Sequence, residues 1–208
     1  MMNEMRSRDT GRLALAIGVA AVGSVACLAT FTAVGEPFGT LNDIGNAATG
    51  LLSAGLAWRL RRVIPGRAGN VAVAAAAGGA GFTVAGSILV ISGTTGWFLA
   101  GLVSSVGFAG IGTWLVALNR SDAMEAVWPR RLRSLGIAAG ALMALGILSA
   151  PGVALRLDDA GTAPAWSWIG FITWLGAFVV YPAWAIWLAS VDARQDRHAT
   201  AVPDRTGA

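Results

Sequence analysis

Apolar residues gather into six long runs separated by short polar or charged links: Leu13–Val34, Leu41–Leu60, Val71–Ile91, Trp97–Leu118, Leu135–Leu155 and Trp166–Leu188. Each run is close to the roughly 20 residues that a helix needs to cross a hydrocarbon core about 30 Å thick. The links, 35–40, 61–70, 92–96, 119–134 and 156–165, are too short to fold as separate domains. The pattern predicts an all-α polytopic membrane protein, six transmembrane helices in a compact bundle over 13–190. A tail precedes it at 1–12, and a disordered tail is expected at 191–208.

Charge adds orientation. The chain has 15 basic residues, all Arg, and a formal charge of +4. Arg6, Arg8 and Arg12 lie before the first run, and Arg59, Arg61, Arg62 and Arg67 around the second link. Arg120, Arg130, Arg131 and Arg133 lie in the fourth link, and Arg194, Arg197 and Arg205 after the last run. With six spans these fall on one side, leaving only Arg156 opposite. Short cytoplasmic loops retain positive charge, so both termini are expected in the cytoplasm. The basic composition therefore reads as topology rather than as nucleic-acid binding. The bilayer is the expected partner, and the inner Arg clusters would meet anionic headgroups. Trp58, Trp114, Trp184 and Trp187 near inner ends, with Trp97, Trp166 and Trp168 near outer ends, fit an interfacial belt. Trp128 is expected on the inner surface.

Ser24-Val25-Ala26-Cys27 follows a basic stretch and resembles a degenerate lipoprotein cleavage box. The apolar run continues past it to Val34, longer than the typical core of a secretory signal, so an uncleaved first helix is expected.

Without a hydrophobic drive between helices in lipid, small residues mark close approaches. They form stripes at Ala74, Gly78, Gly81, Ala85 and Ser92, at Gly101, Ser105, Ala109 and Gly112, and at Gly136, Gly140 and Ala144. Runs three to five are thus expected to pack tightly. On the last run Phe171, Trp174, Phe178, Tyr181 and Trp184 share a face, read as a lipid- or partner-facing surface or as a stacking face for a planar ligand. Pro182 predicts a kink near its inner end, and Pro151 a kink or early stop in the fifth helix.

The candidate site opens the second run. Asn42, Asn46 and Thr49, with Ser53, share a face, and Asp43 lies beside Asn46. Counting at 1.5 Å per residue from Arg59 puts Asp43 about 6 Å, and Asn46 about 10 Å, inside the outer boundary. Two readings stand. Thr40 and Asp43 have capping-box spacing, and the asparagines can bond neighbouring helices; alternatively the group receives a cation, proton or polar solute. Glu36, Asp158 and Asp159 make the outer side acidic, either to draw cations or to keep the loops solvated.

Reactive groups are sparse. The only His, His198, is in the tail and expected to be solvated. No Lys occurs, and no span holds an acidic pair. These exclude bis-His heme, a retinal Schiff base, intramembrane Ser–His chemistry and metal-assisted hydrolysis within the spans. Cys27 reads as a small hydrophobe. No enzyme activity, metal or cofactor is expected.

Pro37-Phe38-Gly39-Thr40-Leu41-Asn42-Asp43 and Tyr181-Pro182-Ala183-Trp184-Ala185-Ile186-Trp187-Leu188 resemble patterns in small multi-span bacterial, actinobacterial-type, integral membrane proteins of no assigned reaction. The resemblance covers under a tenth of the chain. It implies a bacterial cytoplasmic-membrane location and carries no catalytic residues across. The leading expectation is a non-catalytic accessory, assembly or structural protein, working through helix contacts with another membrane protein or with itself. The alternative is a small channel or carrier whose outward-facing polar site is Asp43 and Asn46.

Overall fold

In the computed structural model the backbone of residues 8–200 and the side chains of residues 9–194 are described. Every described element is helical. Helix α1 is Arg8–Val34, α2 Phe38–Arg59, α3 Gly66–Ile91, α4 Trp97–Asn119, and the short α5 Asp122–Glu125. Helix α6, Arg130–Ala144, passes through a tightened turn, Leu145–Ser149, into α7, Ala150–Ala154. The last rod begins with a tightened segment, Ala165–Phe171, continues as α8, Ile172–Leu175, widens over Gly176–Val180, and ends as α9, Tyr181–Thr200.

Five of these rods are long and apolar enough to cross a membrane: Asp9–Val34, Gly66–Ile91, Trp97–Asn119, Arg130–Ala154 and Ala165–Arg194. Helix α2 matches them in length at 22 residues, but Asn42, Asp43 and Asn46 make it less apolar. Most helix starts move outward relative to the hydropathy runs. Helix α3 starts at Gly66, directly after Pro65, whose missing N–H suits a helix start. Residues 191–200, expected in the tail, continue α9. The side chains of Arg6, Arg8, Arg197, His198 and Arg205, and residues 201–208, lie outside the described residues.

Pro151 and Pro182 each sit just beyond an irregular turn. Lacking an N–H, Pro151 cannot bond the carbonyl of Ile147, and the chain tightens over Leu145–Ser149 before it and continues to Ala154. Pro182 cannot bond Phe178, and the turn widens over Gly176–Val180. The first link turns at Gly35, whose φ of 88° is open to glycine and strained for other residues.

Consecutive long rods pack side by side, and the last returns to α1. Helix α4 fills the middle, with 78% of its apolar window buried. Two small-residue seams hold it. Gly79 and Thr83 of α3 meet Gly107, and Gly140 of α6 meets Gly112. The tight packing of these three helices follows the sequence expectation, but one face does not. Gly78 and Gly81 have nothing within 4 Å of an added Cβ. Ala74, Ala85 and Ser92 are exposed with them. The buried face of α3 is Ala72, Ala76, Gly79, Ala80, Thr83 and Gly86. Small residues surround this helix, so a wheel cannot choose its buried side.

The apolar core occupies the Arg-rich half. Leu56, Trp114, Leu115, Tyr181, Trp184 and Leu188 are each at most 1% exposed there. Trp114 and Trp184 therefore belong to the core rather than to an interfacial belt, whereas Trp58 and Trp97 are 62% and 54% exposed. Trp128 is also buried, against Trp184, with ring centroids 5.9 Å apart. At the opposite end Asp158 accepts hydrogen bonds from the N–H groups of Gly96 at 2.8 Å and Leu99 at 3.4 Å, capping α4. Asp159 holds its own turn through the Gly161 N–H and the Thr162 hydroxyl. Asp158 is thus occupied in capping and Asp159 in its own turn.

Candidate functional site

The half of the bundle away from the Arg-rich end encloses a cavity of about 340 Å³. It brings together two groups of residues that the sequence presents separately. One wall is polar: Glu36, Asn42, Asp43 and Asn46, with Ser104 of α4. The other is aromatic: Trp97, Phe108, Trp174 and Phe178, joined by Phe31 of α1.

The polar wall is shaped by α1. Ser24 Oγ lies 2.8 Å from Asn42 Oδ1, 2.9 Å from Asn46 Oδ1 and 2.9 Å from the Asn42 carbonyl oxygen. A hydroxyl carries one hydrogen, so it donates to one of these oxygens at a time. This is the interhelical bonding expected of the asparagines. Each is 8% exposed, and neither amide nitrogen has an acceptor among the described residues. Ser24 sits in the stretch that resembles a cleavage box. Its depth is the missed signal, because in a hairpin turning at Gly35–Pro37 it falls level with Asn46.

The capping-box reading of Asp43 does not hold. Helix α2 starts at Phe38 with no side-chain bond from its N-cap, Pro37. Glu36 serves the first turn instead, accepting from the Thr40 hydroxyl at 3.0 Å and its N–H at 3.3 Å. A glutamate four residues back reaches this turn, which leaves the Asp43 carboxylate without a hydrogen bond or ion pair among the described residues. Ser87 Oγ of α3 lies 2.7 Å from the Asp43 carbonyl oxygen and 3.1 Å from that of Thr83, and its single hydrogen serves one of them at a time.

Thr49 lies outside the cavity. Its hydroxyl bonds the Gly45 carbonyl at 2.8 Å within α2. One turn further, Ser53 Oγ meets the Tyr181 hydroxyl at 2.8 Å. Polar groups thus run along α2 from the cavity into the core and stop at Tyr181, which stacks on Trp184 with centroids 5.8 Å apart and planes 16° apart.

The stripe Phe171, Trp174, Phe178, Tyr181 and Trp184 faces inward, contrary to the lipid-facing reading. Tyr181 and Trp184 are fully buried, and the other three are partly so. The outward-facing positions are Ile172, Leu175, Val179 and Ile186, each at least 42% exposed. The Trp174 indole N–H donates to Ser105 Oγ at 3.1 Å. Phe178 packs edge-on against Trp174 at 5.8 Å and Phe108 at 6.1 Å. The rings of the aromatic wall thus pack on one another, with Trp174 held by Ser105.

No group of three or more His, Cys, Asp or Glu side chains suited to a metal occurs among the described residues. No protein-family model matches the chain, and no curated protein or solved structure is similar to it.

Proposed function

We propose that this is a non-catalytic, six-span protein of a bacterial cytoplasmic membrane, with both termini cytoplasmic, that binds a small solute in a vestibule open to the outer face. The observation that carries the reading is the cavity joining Asp43 and Asn46 to Trp174 and Phe178, with the Asp43 carboxylate unpaired. Uncompensated carboxylates and open amide donors are costly inside a membrane, and a ligand that pairs with them recovers that cost. The orientation rests on the arginine distribution. The sixth span is α2, whose polar face is turned to Ser24, Ser87 and Tyr181. The closed core around Leu56, Trp114 and Tyr181 favours binding over an open channel.

Thiol labelling tests this reading. With Cys27 replaced by Ala, Asp43→Cys should react with a membrane-impermeant cationic reagent added outside intact cells. Ser53→Cys, bonded to Tyr181 in the core, should resist it from either side. Labelling of Asp43→Cys from the cytoplasmic side alone, or from neither side, would reject the vestibule.

A second reading, an accessory protein acting through helix contacts, has one observation behind it. A groove of about 500 Å³ runs between α3 and the Ala144–Ile147 stretch, with Gly78 and Phe82 on one rim and Gly110 in its floor. Small residues let a partner helix approach closely. In the same Cys27→Ala background, Gly78→Cys should form a crosslinked species of discrete mass in native membranes. Recovery of the uncrosslinked chain alone would discard this reading.

A further inference from the structure

The chemistry of the vestibule also specifies its ligand, an inference that rests on the vestibule reading above. We infer that it takes an organic cation: an ammonium carried on an apolar aliphatic or aromatic frame. Charge decides first. Glu36 and Asp43 line the cavity, and no Arg or His does. An anion would meet both carboxylates and no counter-charge. A neutral molecule would shield those carboxylates from water without pairing them.

The walls then separate an organic cation from a metal ion. Calcium takes roughly six to eight oxygen ligands. Here the side-chain oxygens of Asn42 and Asn46 are turned to Ser24, at 2.8 and 2.9 Å. One Glu36 oxygen is already held by Thr40. Sharing the cavity with the carboxylates are Trp97, Trp174, Phe178 and Phe31. Aromatic rings attract a weakly hydrated cation and also pack its hydrocarbon. The Ser105 bond to Trp174 and the packing of Phe178 on Phe108 hold the rings in place before a ligand arrives. The amide nitrogens of Asn42 and Asn46, in side chains 8% exposed, offer donors to an oxygen near the cationic centre. A volume of about 340 Å³ suits a compact molecule of this kind.

Benzoylcholine has these features: a phenyl ring, an ester and a quaternary ammonium. Its carbon isostere, the neohexyl ester of benzoic acid, lacks only the charge. With the full chain in lipid nanodiscs, titration calorimetry should show saturable, one-to-one binding of benzoylcholine. The isostere should bind at least about ten-fold more weakly, as should benzoylcholine to Asp43→Asn. Glu36→Gln should weaken benzoylcholine in the same direction, and Phe178→Leu should weaken it with both carboxylates intact. Excess calcium should not displace it. Unchanged melting temperatures of the variants establish that they fold. Equal binding of the isostere or of benzoate would overturn the assignment, as would displacement by calcium. So would an absence of benzoylcholine binding by protein whose Asp43→Cys form labels from outside. If that labelling itself fails, the vestibule reading falls instead.

Discussion

Gly79→Val is expected to destabilise the protein by about 3 kcal/mol, whereas Gly78→Val, one residue away, should be nearly silent. A Cβ at Gly79 would meet backbone of α4: the carbonyl oxygen of Gly107, the Ile111 nitrogen at 3.0 Å and the Gly110 Cα at 3.3 Å. From the other side, a Cβ at Gly107 would lie 2.6 Å from the Gly79 carbonyl oxygen and 2.7 Å from the Thr83 nitrogen. Backbone on backbone has no rotamer through which to relax, so α3 and α4 must separate. In lipid that separation removes dispersion contacts with little else drawing the helices together. Gly78 faces outward with nothing within 4 Å. Thermal loss of the monodisperse species in one detergent, compared for the two variants, measures the difference. If Gly78→Val were the damaging change, α3 would bury the Ala74–Gly78–Gly81 stripe after all.

That pair shows where sequence reading succeeds on this chain and where it stops. Hydropathy located all six long rods, because a long apolar run is a local property. It did not phase α3, whose stretch from Ala72 to Ala80 consists almost wholly of Ala and Gly and looks the same from every side. The stripe on α4 was legible for a different reason. This helix is central, so nearly any stripe on it is buried. The aromatic stripe was recognisable as a unit, but its direction depends on where α1 and α4 stand.

The site divides in the same way. Asn42, Asp43, Asn46 and Thr49 are conspicuous as polar residues near one end of an apolar helix. That Glu36 rather than Asp43 caps the helix depends on how the chain turns at Gly35, and nothing in residue spacing records it. Trp174 and Phe178 lie more than 120 residues from Asp43 in sequence, and only the closure of the last rod onto α1 brings them to one cavity. The cap on α4 from Asp158, 62 residues beyond Gly96, is equally non-local.

Trp184→Ala should produce the largest loss of stability, about 3–5 kcal/mol, and should unseal the Arg-rich half of the bundle. Trp184 is fully buried, stacked on Tyr181 and edge-on to Trp128. Truncation removes the ring on which both neighbours rest and leaves a void beside the bond between Ser53 and Tyr181. The second readout follows from that position. Ser53→Cys, inert in the parent, should become reactive to the cationic thiol reagent once Trp184 is replaced by Ala. Trp184→Phe separates packing from hydrogen bonding. The indole Nε1 has no acceptor among the described residues, so phenylalanine gives up no bond and keeps most of the ring contact. Its cost should stay within about 1 kcal/mol, with Ser53→Cys still protected. A Trp184→Ala protein as stable as its parent, or one in which Ser53→Cys stays shielded, would mean that the seal lies elsewhere than this aromatic stack.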